Sequence, residues 1–307
     1  MVTMDPQVRT YLDTVAASGI PPLQELTPEQ ARANIEAAAP VLAGPPPPLH
    51  RVENRVIAGV PCRVYSPEAA TALPAVAYFH GGGWVYGSLD THEALCRRLA
   101  AAANCLVLSV DYRMAPEHRF PAAVEDAWAV TGWLARQASD LGGDPGRLAV
   151  AGDSAGGNLA AVMAIKARDA GLNLRHQVLT YPVTDCDLET ESYLANATGY
   201  GLTRAGMGWF WDHYLPDPAA RTHPDASPLR ARSLAGVAPA TIAVCELDPL
   251  RDEAVAYAAR LEAEGVPTRL LRYDGMIHGF ARMFAVIDRS HQLLAEIAAD
   301  LEAAFQR

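Results

Sequence analysis

Short apolar runs alternate with longer amphipathic stretches over most of the chain, which predicts strands alternating with helices. The predicted strands are 75–79, 105–110, 148–151, 178–181, 241–245 and 269–273, and helices are predicted at 91–103, 122–137, 154–170, 252–264 and the C-terminus. Two further strands, 55–58 and 60–66, flank Gly59 as a hairpin. Because strands that are apolar throughout are buried on both faces, we expect a mostly parallel sheet of about eight strands covered by helices.

Two segments depart from this alternation. Residues 1–43 carry apolar side chains at helical spacing, and Thr27 followed by Pro28 has the composition of a helix start. The prolines at 45–48 cannot continue a helix and form a stiff connector. Residues 184–235 contain clustered aromatic residues and several prolines but no apolar strand. We therefore predict N-terminal helices over 1–48 and an α/β domain over 49–307, with an insertion over about 184–235 that covers the sheet.

The composition excludes several classes of protein. Half of the 307 residues are apolar, as in globular proteins, and the formal net charge of -10 argues against a nucleic-acid partner. No uninterrupted apolar stretch approaches the roughly 18 residues of a membrane-spanning helix. The N-terminal segment lacks the apolar core of a signal peptide, so we expect a cytoplasmic protein. The five cysteines form no C-x-x-C pair and no residue spacing suits a metal, so neither metal nor cofactor is expected.

The strongest chemical signal is Gly-Asp-Ser-Ala-Gly at 152–156, between an apolar strand and a helix. This is the context of a nucleophile elbow, in which a strained turn exposes the serine hydroxyl above the sheet. Glycines two residues either side of Ser154 prevent the collision that larger side chains would cause in so sharp a turn. The Ala155 N–H, at the start of the helix, would point towards an oxyanion formed at Ser154.

A second signal, His-Gly-Gly-Gly-Trp at 80–84, follows the predicted strand 75–79 directly. Three glycines allow backbone N–H groups to approach a ligand that a β-carbon would block. We expect the N–H groups of Gly82 and Gly83 to be the other oxyanion donors. By itself the segment could equally be a turn without function, but together with the elbow it indicates an oxyanion hole.

A nucleophilic serine needs a histidine base and a carboxylate that orients it, both later in the chain in this fold. Of the histidines after Ser154, namely His176, His213, His223, His278 and His291, only His278 follows the last predicted strand on a glycine-flanked loop. His291 is expected well inside the C-terminal helix. Asp248 comes just after the strand 241–245 and is the preferred acid. Asp252, which enters the next helix, and Glu246, an exposed strand-end charge, are the competitors.

Other polar and aromatic groups suggest supporting roles. Asp111, Arg113 and Glu117 are interpreted as an ion-pair network that braces the oxyanion loop. His80 is expected to fix this loop by hydrogen bonding. Asp153 either tunes the site or hydrogen-bonds the local backbone. The aromatic cluster at 209–214 either lines a substrate pocket or forms the core of the covering segment, and the sequence favours neither.

The motifs at 80–84, 111–117, 152–156, 248–250 and 278–280 together resemble the bacterial hormone-sensitive-lipase-like esterases. These are α/β-hydrolases that cleave carboxylic esters. The resemblance implies the α/β-hydrolase fold, with a helical cap built from the N-terminal helices and the insertion. It also implies a catalytic triad of Ser154, Asp248 and His278 and an oxyanion hole of Gly82, Gly83 and Ala155. Members of the family often form homodimers, although no interface is apparent in this sequence.

The predicted function is hydrolysis of short-to-medium-chain carboxylic esters through an acyl-enzyme on Ser154, without a cofactor. An amidase, an arylformamidase or a carbohydrate deacetylase could use the same triad, because function belongs to the site and not to the fold. A lipase of long-chain emulsions would need a strongly apolar exposed lid, which is not evident. A non-catalytic receptor of the same fold is disfavoured by the intact serine, aspartate and histidine set.

Overall fold

The structure, a computed structural model, describes residues 3–306 and contains one eight-stranded sheet. The strand order is β1-β2-β4-β3-β5-β6-β7-β8. β2 runs antiparallel to both β1 and β4, and the remaining pairs are parallel. The strands are β1 Arg51–Ile57, β2 Val60–Ser66, β3 Leu73–Phe79, β4 Leu106–Val110, β5 Gly143–Asp153, β6 Leu174–Thr180, β7 Ala240–Leu247 and β8 Thr268–Ile277. The predicted mostly parallel sheet is confirmed.

Helices cover both faces of the sheet. The helices are α1 Pro6–Ala17, α2 Pro28–Ala43, α3 Glu93–Ala102, α4 Ala122–Gln137, α5 Ala155–Asp169, α6 Glu191–Ala195, α7 Arg204–Tyr214, α8 Arg251–Ala263 and α9 Arg289–Phe305. One apolar core joins α4, α5 and α8 to the sheet, and a second joins α3 and α9 to the opposite face. This two-sided burial is the reason why the inner strands are apolar at nearly every position. No helix within residues 3–306 is long and apolar enough to cross a membrane.

Several predicted boundaries shift when the chain folds. β5 extends beyond the predicted 148–151 in both directions, to Gly143 and Asp153, because its ends pair with the neighbouring strands β3 and β6. α9 begins only at Arg289, so His291 lies in its first turn, and the expectation of a position well inside the helix is wrong. Thr27 caps α2 as expected, in a reciprocal arrangement with Gln30.

The segment 184–235 contributes α6 and α7 but no strand within the described residues. α7 places Trp211 and Tyr214 in the apolar core, where the Tyr214 ring stacks on Trp84 with a centroid separation of 4.1 Å. Trp84 directly follows the glycine run at 81–83. The segment is therefore packed against the loop that the sequence assigns to oxyanion binding. The division into cap and α/β domain stays a prediction.

Candidate active site

Ser154 lies at the turn between β5 and α5 with φ +56° and ψ -120°. Residues other than glycine rarely adopt a positive φ, so the turn is strained, as expected of a nucleophile elbow. A β-carbon at Gly156 would overlap the carbonyl oxygen of Phe79, and one at Gly152 would overlap the carbonyl oxygen of Gly156. The glycines thus allow close approach of the backbone, which holds the serine in a strained but well-defined position.

His278 follows β8 and lies between Ser154 and Asp248. The Ser154 hydroxyl donates to Nε2 of His278 over 2.9 Å, and Nδ1 of His278 donates to Oδ2 of Asp248 over 2.8 Å. Asp248 is fully buried, so its carboxylate is shielded from water. Since an ionised carboxylate only accepts hydrogen bonds, this contact leaves Nε2 as the acceptor facing the serine. The arrangement can remove a proton from the serine hydroxyl.

The loop that carries Asp248 is held by α6 and the residue that follows it. The Asn196 amide donates to the backbone carbonyl of Asp248 over 3.2 Å, and the Ser192 hydroxyl donates to the carbonyl of Pro249 over 2.6 Å. The N–H of Leu250 donates to Oδ1 of Asp248 over 2.9 Å. The roles of Asn196 and Ser192 could not be predicted from the sequence, because they depend on contacts with residues more than fifty positions away along the chain.

The competing carboxylates are engaged elsewhere. Oδ2 of Asp252 accepts from the backbone N–H of Ser192 over 2.7 Å. Oε2 of Glu246 accepts from the N–H of Gly275 over 2.8 Å. The structure therefore brings only Asp248, of the three candidate acids, to His278.

The loop after β3 contributes backbone N–H groups to the site. Among residues 3–306, no group accepts a hydrogen bond from the N–H of Gly82, Gly83 or Ala155. The carbonyl of Gly82 accepts from the N–H of Tyr86 over 3.0 Å, which closes the loop into a tight turn. Gly82 and Gly83 both have positive φ, and a β-carbon at Gly83 would overlap the Phe210 ring. These free donors beside Ser154 are what an oxyanion hole requires.

A buried polar cluster supports this loop from below. Oδ1 of Asp153 accepts from the N–H of Gly81 over 3.0 Å and from the hydroxyl of Tyr78 over 2.7 Å. Burial raises the pKa of Asp153, but the charge of His92 and hydrogen bonds from His92 and Tyr78 outweigh it and hold the pKa well below its ordinary value. Asp153 is thus an ionised carboxylate that positions the glycine loop. Its partners Tyr78 and Gly81 lie far from it in sequence, so its role is more than a local backbone hydrogen bond.

His80 also fixes this loop. Burial, together with the charge of His92, lowers the pKa of His80 to about 4, so its ring is neutral near pH 7. The ring stacks on Tyr112 at a centroid distance of 4.3 Å, and Nδ1 lies 2.9 Å from the carbonyl of Gly81. The expected fixing role agrees with these contacts.

The ion-pair network predicted among Asp111, Arg113 and Glu117 does not form, and this interpretation is wrong. Arg113 pairs with Asp126 over 2.8 Å, and Glu117 pairs with Arg32 of α2 over 2.7 Å. Asp111 makes no ion pair among the described residues. Arg113 and Glu117 lie close in sequence, but their side chains point to different helices, Arg113 to α4 and Glu117 to α2. The loop is braced by Arg32, whose Nε donates to the carbonyl of Val85 over 2.8 Å.

A cavity of about 310 Å³ opens above Ser154 and His278. Its walls come from α1, α2, α7 and the loops after β3 and β8, and Phe210 is the only member of the aromatic cluster at 209–214 among the described lining residues. Trp211 and Tyr214 are buried in the core instead. Both interpretations of the cluster therefore hold, each for different members. No group of three or more metal-binding side chains occurs in the described part of the chain.

Glu253 in α8 is a buried acid that the sequence did not single out. Its exposure is 2%, and Oε1 accepts from the backbone N–H of Thr184 over 2.7 Å while Oε2 has no hydrogen-bond partner. Burial raises the pKa of Glu253 well above its ordinary value, although the hydrogen bonds from Thr184 and Asp185 oppose the rise. Glu253 therefore ties the start of the insertion to the helix that follows Asp248.

We expect the free energy of unfolding to contain a component from Glu253 that is lost as pH rises above the ordinary glutamate pKa of 4.5 towards the raised folded-state pKa. The folded state holds this proton more tightly than the unfolded state, so stability falls over that window. Glu253→Gln should lack this component and have a flatter profile. Urea unfolding of both proteins between pH 4.5 and 8 measures the difference, and parallel profiles would contradict it.

Comparisons with known proteins agree with this architecture. A family model described as α/β hydrolase fold matches residues 76–282. The chain is similar to the carboxylic ester hydrolase LipN of Mycobacterium tuberculosis, at 41% identity over 99% of this chain and 84% of the relative. It is 36% identical to an ethyl acetate hydrolase of Pseudomonas putida, over 98% of this chain and 99% of the relative. A Pyrobaculum calidifontis esterase structure has 41% identity and a TM-score of 0.92, covering 98% of this chain and 99% of that chain. The chain therefore belongs to the α/β-hydrolase family, among its hormone-sensitive-lipase-like carboxylesterases.

Proposed function

We propose that this protein hydrolyses carboxylic esters through an acyl-enzyme on Ser154, with His278 as general base and Asp248 as its orienting acid. The observation that carries this proposal is the pair of hydrogen bonds from Ser154 to His278, 2.9 Å, and from His278 to Asp248, 2.8 Å, at the floor of a cavity. Relatives that are named as carboxylic ester hydrolase and ethyl acetate hydrolase support the same reaction class.

In the first half-reaction, Nε2 of His278 takes the proton of the Ser154 hydroxyl while Oγ attacks the ester carbonyl. Asp248 holds the imidazole in the required tautomer and stabilises the imidazolium that forms. The negative charge on the carbonyl oxygen is stabilised by the N–H groups of Gly82, Gly83 and Ala155. Loss of one such donor costs about 3–4 kcal/mol of transition-state stabilisation in other serine hydrolases.

The imidazolium of His278 then gives its proton to the departing alcohol as the ester C–O bond breaks, which completes the first half-reaction and leaves the acyl-enzyme. In the second half-reaction, a water molecule loses a proton to His278 as it attacks the acyl carbonyl, and His278 returns that proton to Oγ of Ser154 as the acid is released. Each proton that leaves a nucleophile is delivered to a leaving group by the same imidazole. No cofactor takes part in these steps.

The cavity supports short-to-medium acyl chains. Its volume of about 310 Å³ is at the small end of ligand sites, and parts of it must hold the ester group and the alcohol. With 4-nitrophenyl esters from acetate to palmitate, we expect kcat/KM to reach a maximum at short or medium chains and to fall for long ones. A maximum at palmitate would contradict the proposed chain length.

The same assay distinguishes an esterase from an amidase. A 4-nitroanilide with the acyl group of the best ester is the matched control, because it differs only in the leaving atom. We expect the ester to be hydrolysed much faster than the anilide. Hydrolysis of the anilide alone, or of neither substrate by folded protein, would contradict the proposed function.

A further inference from the structure

One charged side chain in the cavity has no role in the proposed mechanism. Arg282 lines the same cavity as Ser154 and His278 and is the only arginine or lysine among the described residues that do so. It is partly buried, and within residues 3–306 no carboxylate lies within 4.0 Å of its guanidinium and its side chain makes no hydrogen bond. A cation therefore faces the substrate space without an ion pair or hydrogen bond to the described residues, and its only electrostatic counterpart in the cavity lining that the structure describes is the more distant Asp153.

The chain after β8 places this cation near the reacting groups. Gly279, with φ +84°, follows His278 and turns the backbone into a short helical segment, Phe280–Arg282. Phe280 and Ala281 are buried beneath it, which leaves Arg282 at the cavity wall. The position of the guanidinium thus depends on the same turn that positions the catalytic base.

Arg282 differs from the arginines that have structural roles. Arg32, for example, is paired in a bidentate manner with Glu117, with both oxygens 2.7 Å from a guanidinium nitrogen. The one carboxylate that lines the cavity among the described residues, Asp153, is already engaged by Tyr78, Gly81 and His92. Partial burial of a guanidinium whose N–H groups have no hydrogen-bond acceptor is costly, and arginine is well suited to bind a carboxylate with two parallel hydrogen bonds.

Two tyrosines provide further hydrogen-bond donors beside it. Tyr11 of α1 and Tyr86 of the oxyanion loop line the same cavity, and neither hydroxyl is hydrogen-bonded among the described residues. Burial raises the pKa of both tyrosines, and the charge of Arg282 opposes this rise, which places the guanidinium within electrostatic reach of both rings. Both hydroxyls are therefore neutral donors near pH 7.

We propose that Arg282, together with Tyr11 and Tyr86, binds an anionic group of the substrate, so that this protein prefers esters that carry a carboxylate. This inference rests on the proposed ester hydrolysis and names its substrate class. The formal net charge of -10 repels anions at long range, so a preference for them requires a local cation of this kind.

Two pairs of matched esters test the proposal. Mono-4-nitrophenyl glutarate and 4-nitrophenyl valerate differ by a carboxylate on the acyl side, and 3-acetoxybenzoate and 3-tolyl acetate differ by one on the alcohol side. For the wild type, we expect a higher kcat/KM for the anionic member of at least one pair. Arg282→Met should reduce the anionic-to-neutral ratio of kcat/KM for that pair by about tenfold or more.

Arg272→Met is the matched control, because Arg272 is exposed on β8 outside this cavity and its loss changes the net charge equally. We expect it to leave both ratios unchanged. Arg282→Lys keeps the charge but not the bidentate geometry and should give an intermediate ratio.

A wild type that shows no preference for either anionic ester would overturn the inference, as would an Arg282→Met variant with the wild-type ratio. If Arg282→Met lowers kcat/KM equally for both members of a pair, Arg282 has a structural role, and this result would also overturn the inference. If the wild type hydrolyses the neutral esters, the proposed function stands in all three cases. If folded wild type hydrolyses none of the four esters, the proposed function itself fails.

Discussion

Ser154→Ala is expected to abolish ester hydrolysis while the protein remains folded. The hydroxyl that it removes lies 2.9 Å from Nε2 of His278 and is the proposed nucleophile that forms the acyl-enzyme. Removal of the nucleophile in a serine protease lowers kcat by about a millionfold, and we expect a loss of that order here. Alanine keeps the β-carbon, so the strained backbone at φ +56° changes little and stability should stay close to that of the wild type.

The measurement is kcat on a 4-nitrophenyl ester of short chain, together with the thermal unfolding midpoint. Ser109→Ala is the matched control, because Ser109 is another buried serine that lies in β4 away from the cavity. It should keep most of the wild-type activity. Full activity in Ser154→Ala would remove the nucleophile from the proposed mechanism, and a parallel loss in Ser109→Ala would show that the assay reports folding.

Asp248→Asn is expected to lower kcat by about ten-thousandfold, as the equivalent change does in a serine protease. Oδ2 of Asp248 accepts from Nδ1 of His278 over 2.8 Å, and this contact leaves Nε2 unprotonated towards Ser154. An asparagine amide can donate to Nδ1 and thereby stabilise the other tautomer, in which Nε2 carries the proton and cannot act as a base. The side chain is nearly isosteric, so KM and the fold should change much less than kcat.

Asp252→Asn separates this role from a general effect of lost negative charge. Asp252 lies four residues further along the chain and accepts from the Ser192 N–H rather than from His278. We expect its kcat to stay within about tenfold of the wild type, since loss of one hydrogen bond costs about 1 kcal/mol. Equal losses in the two variants, or a larger one in Asp252→Asn, would contradict the choice of Asp248.

Much of the fold could be predicted because burial on both faces leaves a simple signal in the sequence. Strands such as β4, which is buried along its whole length, appear as continuous apolar runs, and the amphipathic stretch of α4 was predicted with its observed limits. Boundaries were less accurate where strand pairing, and not apolarity, decides the end. β5 begins with Gly143-Asp-Pro-Gly, which has the composition of a turn yet lies within the strand.

The residues of the proposed triad could also be predicted from local patterns. Ser154, between two glycines that the tight turn requires, and His278, after the last strand, each stand in a characteristic context. Asp248 could be preferred over Asp252 because a side chain at the end of a strand points to the sheet edge where the others meet. Each of these inferences depends on residues close together in the chain.

The groups that support the site were not accessible in this way. Asn196 holds the Asp248 loop although it lies 52 residues earlier in the chain. Glu117 pairs with Arg32, which lies 85 residues earlier in the chain, and not with Arg113 as expected. Side chains near each other in sequence, such as Arg113 and Glu117, instead point to different helices.

The local pattern of glycines, apolar runs and strand ends thus determines the fold class and the chemistry of this protein, because both depend on backbone conformation and on burial. Tertiary packing alone decides which charge meets which partner and which side chains face the cavity. It buries Glu253 beside Thr184 and places Arg282 in the cavity wall with no ion pair to the described residues, since neither environment is encoded by the residues adjacent to them in the chain.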